Sequence, residues 1–342
     1  MTFPLEISGL SSLGFDSIQI SKLEQMILKH IDEGRYPGAQ FALARHGKLA
    51  AFRSYGHART EPVPIPTGPD TLFLLFSNTK VLVSSAVWLL VEDGIISLSD
   101  PVAEYMPAFA ANGKESVTVQ QVMTHQGGFP SSNITRAAWA DHAVMREQVC
   151  AFELEWPAGS RLHYHPRSVH YVLAMLIEAV TGRDYRDVIR GRRIEPVEEK
   201  NTAGFREAGL PFGGSFGTAR AQVAFYQMLI QSGRLNGTRI LSPRMVEYLT
   251  TDFTGDRIDG NHDREMHRAL GPHKRGTGGH ACIFGSLASP LTFGHGGIGT
   301  NVCWGDPSSG VSFAYLSNEI QPNDWSSSRF DRVSNIIHAA ID

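Results

Sequence analysis

The sequence predicts a mixed α/β (α+β) fold: an antiparallel sheet built from both chain termini, flanked by helices, with an all-helical insert. Three observations carry this expectation. Two alternating apolar runs, Ala39 to Arg45 and Lys48 to Ser54, meet at His46-Gly47 near the start. Three short runs, Leu291 to Phe293, Thr300 to Gly305 and Val311 to Ser317, lie near the end, bounded by Gly, Pro or Asn. Between these groups the apolar residues recur at helical spacing. One sheet drawing strands from both ends is the simplest arrangement. The 342 residues read as a single unit, 1–342. Within it, approximately 1–75 and 265–342 form the sheet region and approximately 95–230 a mainly helical region.

The elements follow in order. Leu23, Met26, Ile27 and Ile31 mark a helix that stops at Gly34. The hairpin comes next. Glu61 to Pro69 holds four prolines and reads as loop. Thr79 to Glu92 is apolar on nearly every face and ends at Asp93-Gly94, so it is expected at the centre of its region. Ser99-Asp100-Pro101 reads as a helix start. Val117 to Met123 reads as a helix closed by Gly127-Gly128, Tyr171 to Val180 as one stopped at Thr181-Gly182, and Gln222 to Gln231 as one stopped at Gly233. Phe330 to Ile341 reads as a closing amphipathic helix. There is no internal repeat and no low-complexity linker.

Composition excludes several classes. Apolar residues are 42% and charged residues 19%, which is globular rather than disordered. With 31 basic against 34 acidic residues the formal charge is -3, so nothing neutralises a phosphate backbone and no nucleic-acid partner is expected. Arg190, Arg192 and Arg193 are interleaved with acids and read as a solvated face. Cys150, Cys282 and Cys303 lie far apart without a C-x-x-C, which suits a reducing compartment and neither a disulfide framework nor a zinc site. Met1 to Ser12 lacks the pattern of a signal peptide. Leu72 to Val91 is interrupted by Ser77, Asn78, Lys80, Ser84 and Ser85 and reads as a buried helix, not a membrane span. The expected location is cytoplasmic. The sequence carries no oligomer signal.

Chemistry is suggested where Ser77-Asn78-Thr79-Lys80 opens the buried helix. Positions i and i+3 share a helix face, so Ser77 and Lys80 can meet. Burial and the helix N-terminus lower a lysine pKa towards the range where the amine accepts a proton. A serine needs such a base. The bland alternative is that Ser77 caps a helix while Lys80 snorkels, although a charge in so apolar a helix is costly. A second serine lies in Gly213-Gly214-Ser215-Phe216-Gly217, which matches the nucleophile elbow G-x-S-x-G. The residues before it make a poor strand, so Ser215 or Thr218 is expected to act as an N-cap. His163, His165 and His170 invite a metal reading, but no acid completes a set with recognisable spacing; a polar pocket rim is the alternative. No metal or cofactor is expected. Lys274-Arg275-Gly276-Thr277-Gly278-Gly279 reads as a mobile loop beside the site.

A series of motifs then resembles the serine β-lactamase-like family, which includes class C β-lactamases, penicillin-binding peptidases and family VIII esterases. In order they are Asp70-Thr71-Leu72-Phe73, Ser77-x-x-Lys80, Leu90-Val91-Glu92-Asp93-Gly94, Leu98-x-Asp100-Pro101-Val102 and Tyr105-Met106-Pro107. Thr118-Val119, Met123-Thr124-His125, Gly127-Gly128-Phe129-Pro130, Pro157-x-Gly159 before Tyr164, and Tyr171-Val172-Leu173 follow. Gly213-Gly214, Gly294-His295-Gly296-Gly297 and Leu316-Ser317-Asn318 complete the series, which runs from about Pro37 to Asn318. The resemblance implies a β-lactamase/transpeptidase-like fold. It implies Ser77 as acylated nucleophile, Lys80 as its base and Tyr164 as the residue that passes the proton to the leaving group. It also implies an oxyanion hole from the N–H groups of Ser77 and Ile298, with His295, Gly296 and Gly297 on the strand beside the substrate.

Departures from the family pattern bear on the substrate. Pro166 stands where the β-lactamases keep Asn, and proline cannot hold a substrate amide through its side chain. His295 replaces the lysine of Lys-Thr-Gly, exchanging a permanent charge for one expected to appear only at lower pH. The run Gly204 to Gly213 is short, suggesting a trimmed wall. The expected activity is therefore a serine hydrolase acting through an acyl-enzyme on a small carboxylic ester. Three alternatives stay open: transfer of the acyl group to an alcohol or amine in a biosynthetic pathway, a β-lactamase- or peptidase-like amide hydrolase, and an inactive binding protein.

Overall fold

A computed structural model describes residues 5–191, 209–278 and 282–342. Arg192 and Arg193, the first part of the Gly204 to Gly213 run, the first four residues and Gly279 lie outside these.

An eight-stranded sheet organises the molecule. Its strands are β1 (Glu6–Ile7), β2 (Gly38–Arg45), β3 (Lys48–Arg59), β4 (Ile65–Pro66), β5 (His273–Lys274), β6 (Phe293–Gly297), β7 (Asn301–Asp306) and β8 (Val311–Ser317). The order is β1-β3-β2-β8-β7-β6-β5, with β4 added to β3. Strands from both ends of the chain therefore meet at β2 and β8, where Arg45 pairs with Val311 and Ala39 with Ser317. The sheet is antiparallel except at β1, which runs parallel to β3. A helix and a whole strand separate those two, so no tight turn dictates an antiparallel return. The hairpin turn is as expected: His46 and Gly47 have φ of 49° and 80°, the positive values that a two-residue turn needs to match strand twist.

Side chains alternate between two cores. Phe41, Leu43, Val302, Trp304, Phe313 and Tyr315 point to one face, where they meet helices α1 (Ser17–Asp32) and α5 (Asn323–Ala339). Ala42, Ala44, Cys303 and Ala314 point to the other. These small residues let helix α4 (Ala219–Ile230) lie close against β2, β7 and β8. Behind α4 the same core continues into α2 (Thr79–Glu92) and α3 (Ser168–Thr181). Every residue of α2 from Thr79 to Leu90 is buried, which explains its apolar character on all faces.

Three expectations need correction. The loop rich in proline contains the short strand β4, which pairs with β3. The helical region is not wholly helical, because Phe216–Gly217 pairs with Phe73–Leu74. Both outer helices start earlier than expected: α1 is capped by Asp16, which accepts the Ile18 N–H, and α5 begins at Asn323. The first turn of α5 is mostly polar and carries no periodicity, whereas in α1 the buried Ile20 extends the spacing of Leu23 and Ile27 by one more turn. Among the described residues, no helix is long and apolar enough to cross a membrane.

Candidate active site

Ser77 lies in a single 3-10 turn, Phe76–Asn78, that runs directly into α2. Phe76 takes φ 45°, a left-handed conformation that costs a bulky residue about 1–2 kcal/mol. Neighbours hold the turn in place. The Leu75 N–H donates to the Ser215 carbonyl at 2.8 Å. Asn78 Nδ2 donates to Asn301 Oδ1, and Asn301 Nδ2 donates to the Leu74 carbonyl at 3.2 Å. The sheet thus braces the segment that presents Ser77, and β6 runs beside the same turn.

Lys80 follows one turn later and is fully buried. Its Nζ lies 2.8 Å from Ser77 Oγ and donates to the Phe212 carbonyl at 2.8 Å. Burial, followed by the nearby charges of Arg268 and Arg167, holds the amine well below the ordinary lysine range. A neutral amine has two N–H donors and a lone pair, so one donor can serve Phe212 while the lone pair faces the serine hydroxyl. Tyr164 brings its hydroxyl to 3.3 Å from Ser77 Oγ. Burial raises its pKa despite the opposing effect of that contact, so the phenol keeps its proton. The Lys80 amine and the Tyr164 phenol thus both reach the one hydroxyl of Ser77. Such a set can take a proton from one oxygen and deliver it to another.

His295, Gly296 and Gly297 lie on β6, and Ile298 follows as an exposed residue at the strand end. His295 is buried and its Nδ1–H donates to the Gly296 carbonyl at 2.7 Å. Burial, then the charge of Lys80, pulls its pKa down to about 3. His295 therefore stays neutral through the ordinary pH range, contrary to the expectation that it charges as pH falls to hold acidic substrates.

The other candidates resolve differently. Thr218, not Ser215, caps α4: its Oγ1 accepts the Ala221 N–H at 3.2 Å. Ser215 contributes its backbone, donating its N–H to Thr79 Oγ1 at 3.1 Å and accepting from Leu75. It precedes the strand Phe216–Gly217 rather than following one, so no nucleophile elbow forms. His165 spends both ring nitrogens on backbone: Nε2 accepts from Phe129 N–H at 3.1 Å and Nδ1–H donates to the His163 carbonyl at 2.5 Å. No lone pair is left for a metal. Lys274 closes the edge strand β5 and donates to the Thr250 carbonyl at 2.7 Å, so the expected loop starts as sheet.

Sequence reasoning missed part of the site. Arg268 and Asp259 form a buried ion pair against Tyr164, with His273 beside them. His125 packs on the Tyr164 ring with centroids 4.7 Å apart. A buried arginine has no sequence signal that separates it from a surface one. Asn301 was equally silent, an asparagine opening a strand.

The family described as Beta-lactamase matches residues 23–334. A protein of Mycobacterium tuberculosis named esterase/beta-lactamase LipL is 28% identical over 315 residues, covering 75% of this chain and 71% of that protein. The structure of a penicillin-binding protein homologue from Caulobacter crescentus superposes with a TM-score of 0.80 at 25% identity, covering 96% of this chain and 99% of the other. That of a family VIII carboxylesterase superposes with a TM-score of 0.80 at 22% identity, covering 94% and 98%.

Proposed function

The chain belongs to the beta-lactamase family and is a serine hydrolase of that family, and from this premise we propose that it hydrolyses small carboxylic esters through an acyl-enzyme on Ser77. The observation that carries the reading is the buried Lys80 amine, 2.8 Å from Ser77 Oγ, with its pKa pushed by burial well below the ordinary lysine value. Lys80 takes the proton as Ser77 Oγ attacks the ester carbonyl. The N–H groups of Ser77 and Ile298 receive the developing oxyanion, usually the largest single contribution to such a reaction. Tyr164 passes a proton to the departing alkoxide and is resupplied from Lys80. Water then attacks the acyl-enzyme by the reverse route and frees Ser77.

Two features favour an ester over a β-lactam or peptide. Pro166 has no side-chain donor for a substrate amide, and an amide nitrogen needs more help to leave than an alkoxide. His295 is neutral, so β6 offers no fixed cation for a substrate carboxylate. The name of the mycobacterial relative carries both esterase and beta-lactamase, and that of the family VIII structure carries carboxylesterase. The three unpaired cysteines suit a reducing, cytoplasmic setting. Steady-state kinetics on p-nitrophenyl esters of increasing chain length, beside a chromogenic cephalosporin, test the proposal. The expected result is clear turnover of short-chain esters with little or none of the cephalosporin. A cephalosporin kcat/KM equal to that of the best ester would contradict it.

A further inference from the structure

A buried ion pair lies beside the proposed proton path without a part in it. Asp259 and Arg268 are almost wholly excluded from solvent, and Arg268 Nη2 binds Asp259 Oδ2. Buried pairs of this kind contribute little net stability compared with apolar residues of the same size. Both members also reach Tyr164. Asp259 Oδ1 accepts the Tyr164 backbone N–H at 3.2 Å, and a strand bridge joins Asp259 to Leu162. The Arg268 guanidinium lies 4.9 Å from the centre of the Tyr164 ring, and its Nη1 donates to His273 Nε2 at 2.8 Å. Lys80 Nζ lies 5.5 Å from the centre of that same ring. The pair is thus oriented, its carboxylate on the backbone of Tyr164 and its cation against the ring that Lys80 also touches.

Building on the acyl-enzyme reading, we propose that Asp259 and Arg268 are positioning residues: Asp259 fixes the backbone of Tyr164, and Arg268 fixes its ring while keeping a permanent positive charge close to Lys80. That charge opposes a proton on Lys80, in the same direction as burial. Other groups facing Lys80 and Tyr164 do not replace it. His125, His170, His273 and His295 are kept neutral by burial. Arg167 is the second cation, but it is exposed and its effect is screened by solvent. His262 is engaged with Asp259 at 3.2 Å.

The test compares full-length wild type, Arg268→Lys and the double variant Arg268→Met/Asp259→Asn, which removes both charges together and leaves no lone buried ion. Lys80 is titrated by NMR with 13C-labelled lysine, its signal assigned by its loss in Lys80→Arg, and kcat and KM are measured on a p-nitrophenyl ester. In the double variant the Lys80 midpoint should rise by about one pH unit. The acid limb of kcat/KM should rise with it, and kcat below neutral pH should fall about 10-fold with little change in KM. Arg268→Lys keeps the charge but loses the planar fork, so its Lys80 midpoint should stay near wild type while kcat falls. A folded double variant with an unmoved Lys80 midpoint and wild-type kcat would overturn the proposal. If that variant does not fold, an Arg268→Lys enzyme with undiminished kcat would do the same. Fluorophosphonate labelling of wild type separates the two levels: labelling at Ser77 with a negative Arg268 result rejects the positioning role alone, and no labelling rejects the acyl-enzyme reading beneath it.

Discussion

Lys80 is the residue on which the chemistry turns. Burial, then the charges of Arg268 and Arg167, disfavours its charged form, and no carboxylate lies among its contacts with Ser77, Phe212 and the Tyr164 ring. The sign of the pH dependence follows. With its pKa held well below that of free lysine, Lys80 loses its proton as pH rises through the lowered value, so kcat/KM should rise on that limb and then level. Lys80→Arg keeps the charge at every pH and cannot accept the proton, and its activity should fall at least about 10³-fold with no recovery at high pH. A pH–rate profile of the variant checks this; substantial activity at any pH would remove Lys80 from the mechanism. That Ser77 and Lys80 meet was legible in their three-residue spacing at the start of an apolar helix, while the roles expected of them came from the resemblance. Tyr164 was reached only through resemblance, and Arg268 not at all, because nothing in the sequence separates a buried arginine from a surface one and the Tyr164 ring it packs against lies in a distant segment.

At the scale of elements, the site depends on two junctions. One is the 3-10 turn into α2. The other is the extended stretch Ser215–Gly217 into α4, whose strand pairs with Phe73–Leu74 just ahead of Ser77. The α4 cap ties the second junction. Thr218→Ala should lower stability by about 1 kcal/mol through loss of that cap, read as a fall in Tm or in the urea midpoint. Ser215→Ala keeps the backbone bonds through which Ser215 acts and should cost distinctly less. Equal losses from both, or a larger loss from Ser215, would mean that the cap is misassigned. Helix interiors such as α2 and the strands β7 and β8 were readable to within a residue or so, since periodicity and flanking Gly or Pro mark them. The first turn of α5 and the two-residue strands were not, because a polar turn and single pairings leave no periodic trace.

The whole molecule carries an unusual load of buried neutral histidine. Burial lowers His165 and His295 to about 3 and His30 to about 4, and drives His125, His170 and His273 well down as well. The unfolded chain protonates each near 6.5, so between 6.5 and the folded values it binds more protons than the native state. Stability is therefore complete above about pH 6.5 and is lost as pH falls, by up to about 1.4 kcal/mol per histidine per pH unit. Tm should decline from about pH 6.5 downward, before the carboxylates titrate; a flat Tm between pH 6.5 and 5 would contradict the neutral cluster. The overall architecture, one sheet with strands from both termini, was visible because paired apolar runs stand at the two ends of the chain. The parallel edge strand β1 was not, since two residues carry no alternation. Mass spectrometry of the intact protein quenched during turnover of a p-nitrophenyl ester, followed by peptide mapping, tests whether an ester-derived acyl group forms on Ser77. One acyl group per chain is expected, on the peptide that contains Ser77, and none in Ser77→Ala. An acyl group on Ser215, or turnover that persists in Ser77→Ala, would contradict it.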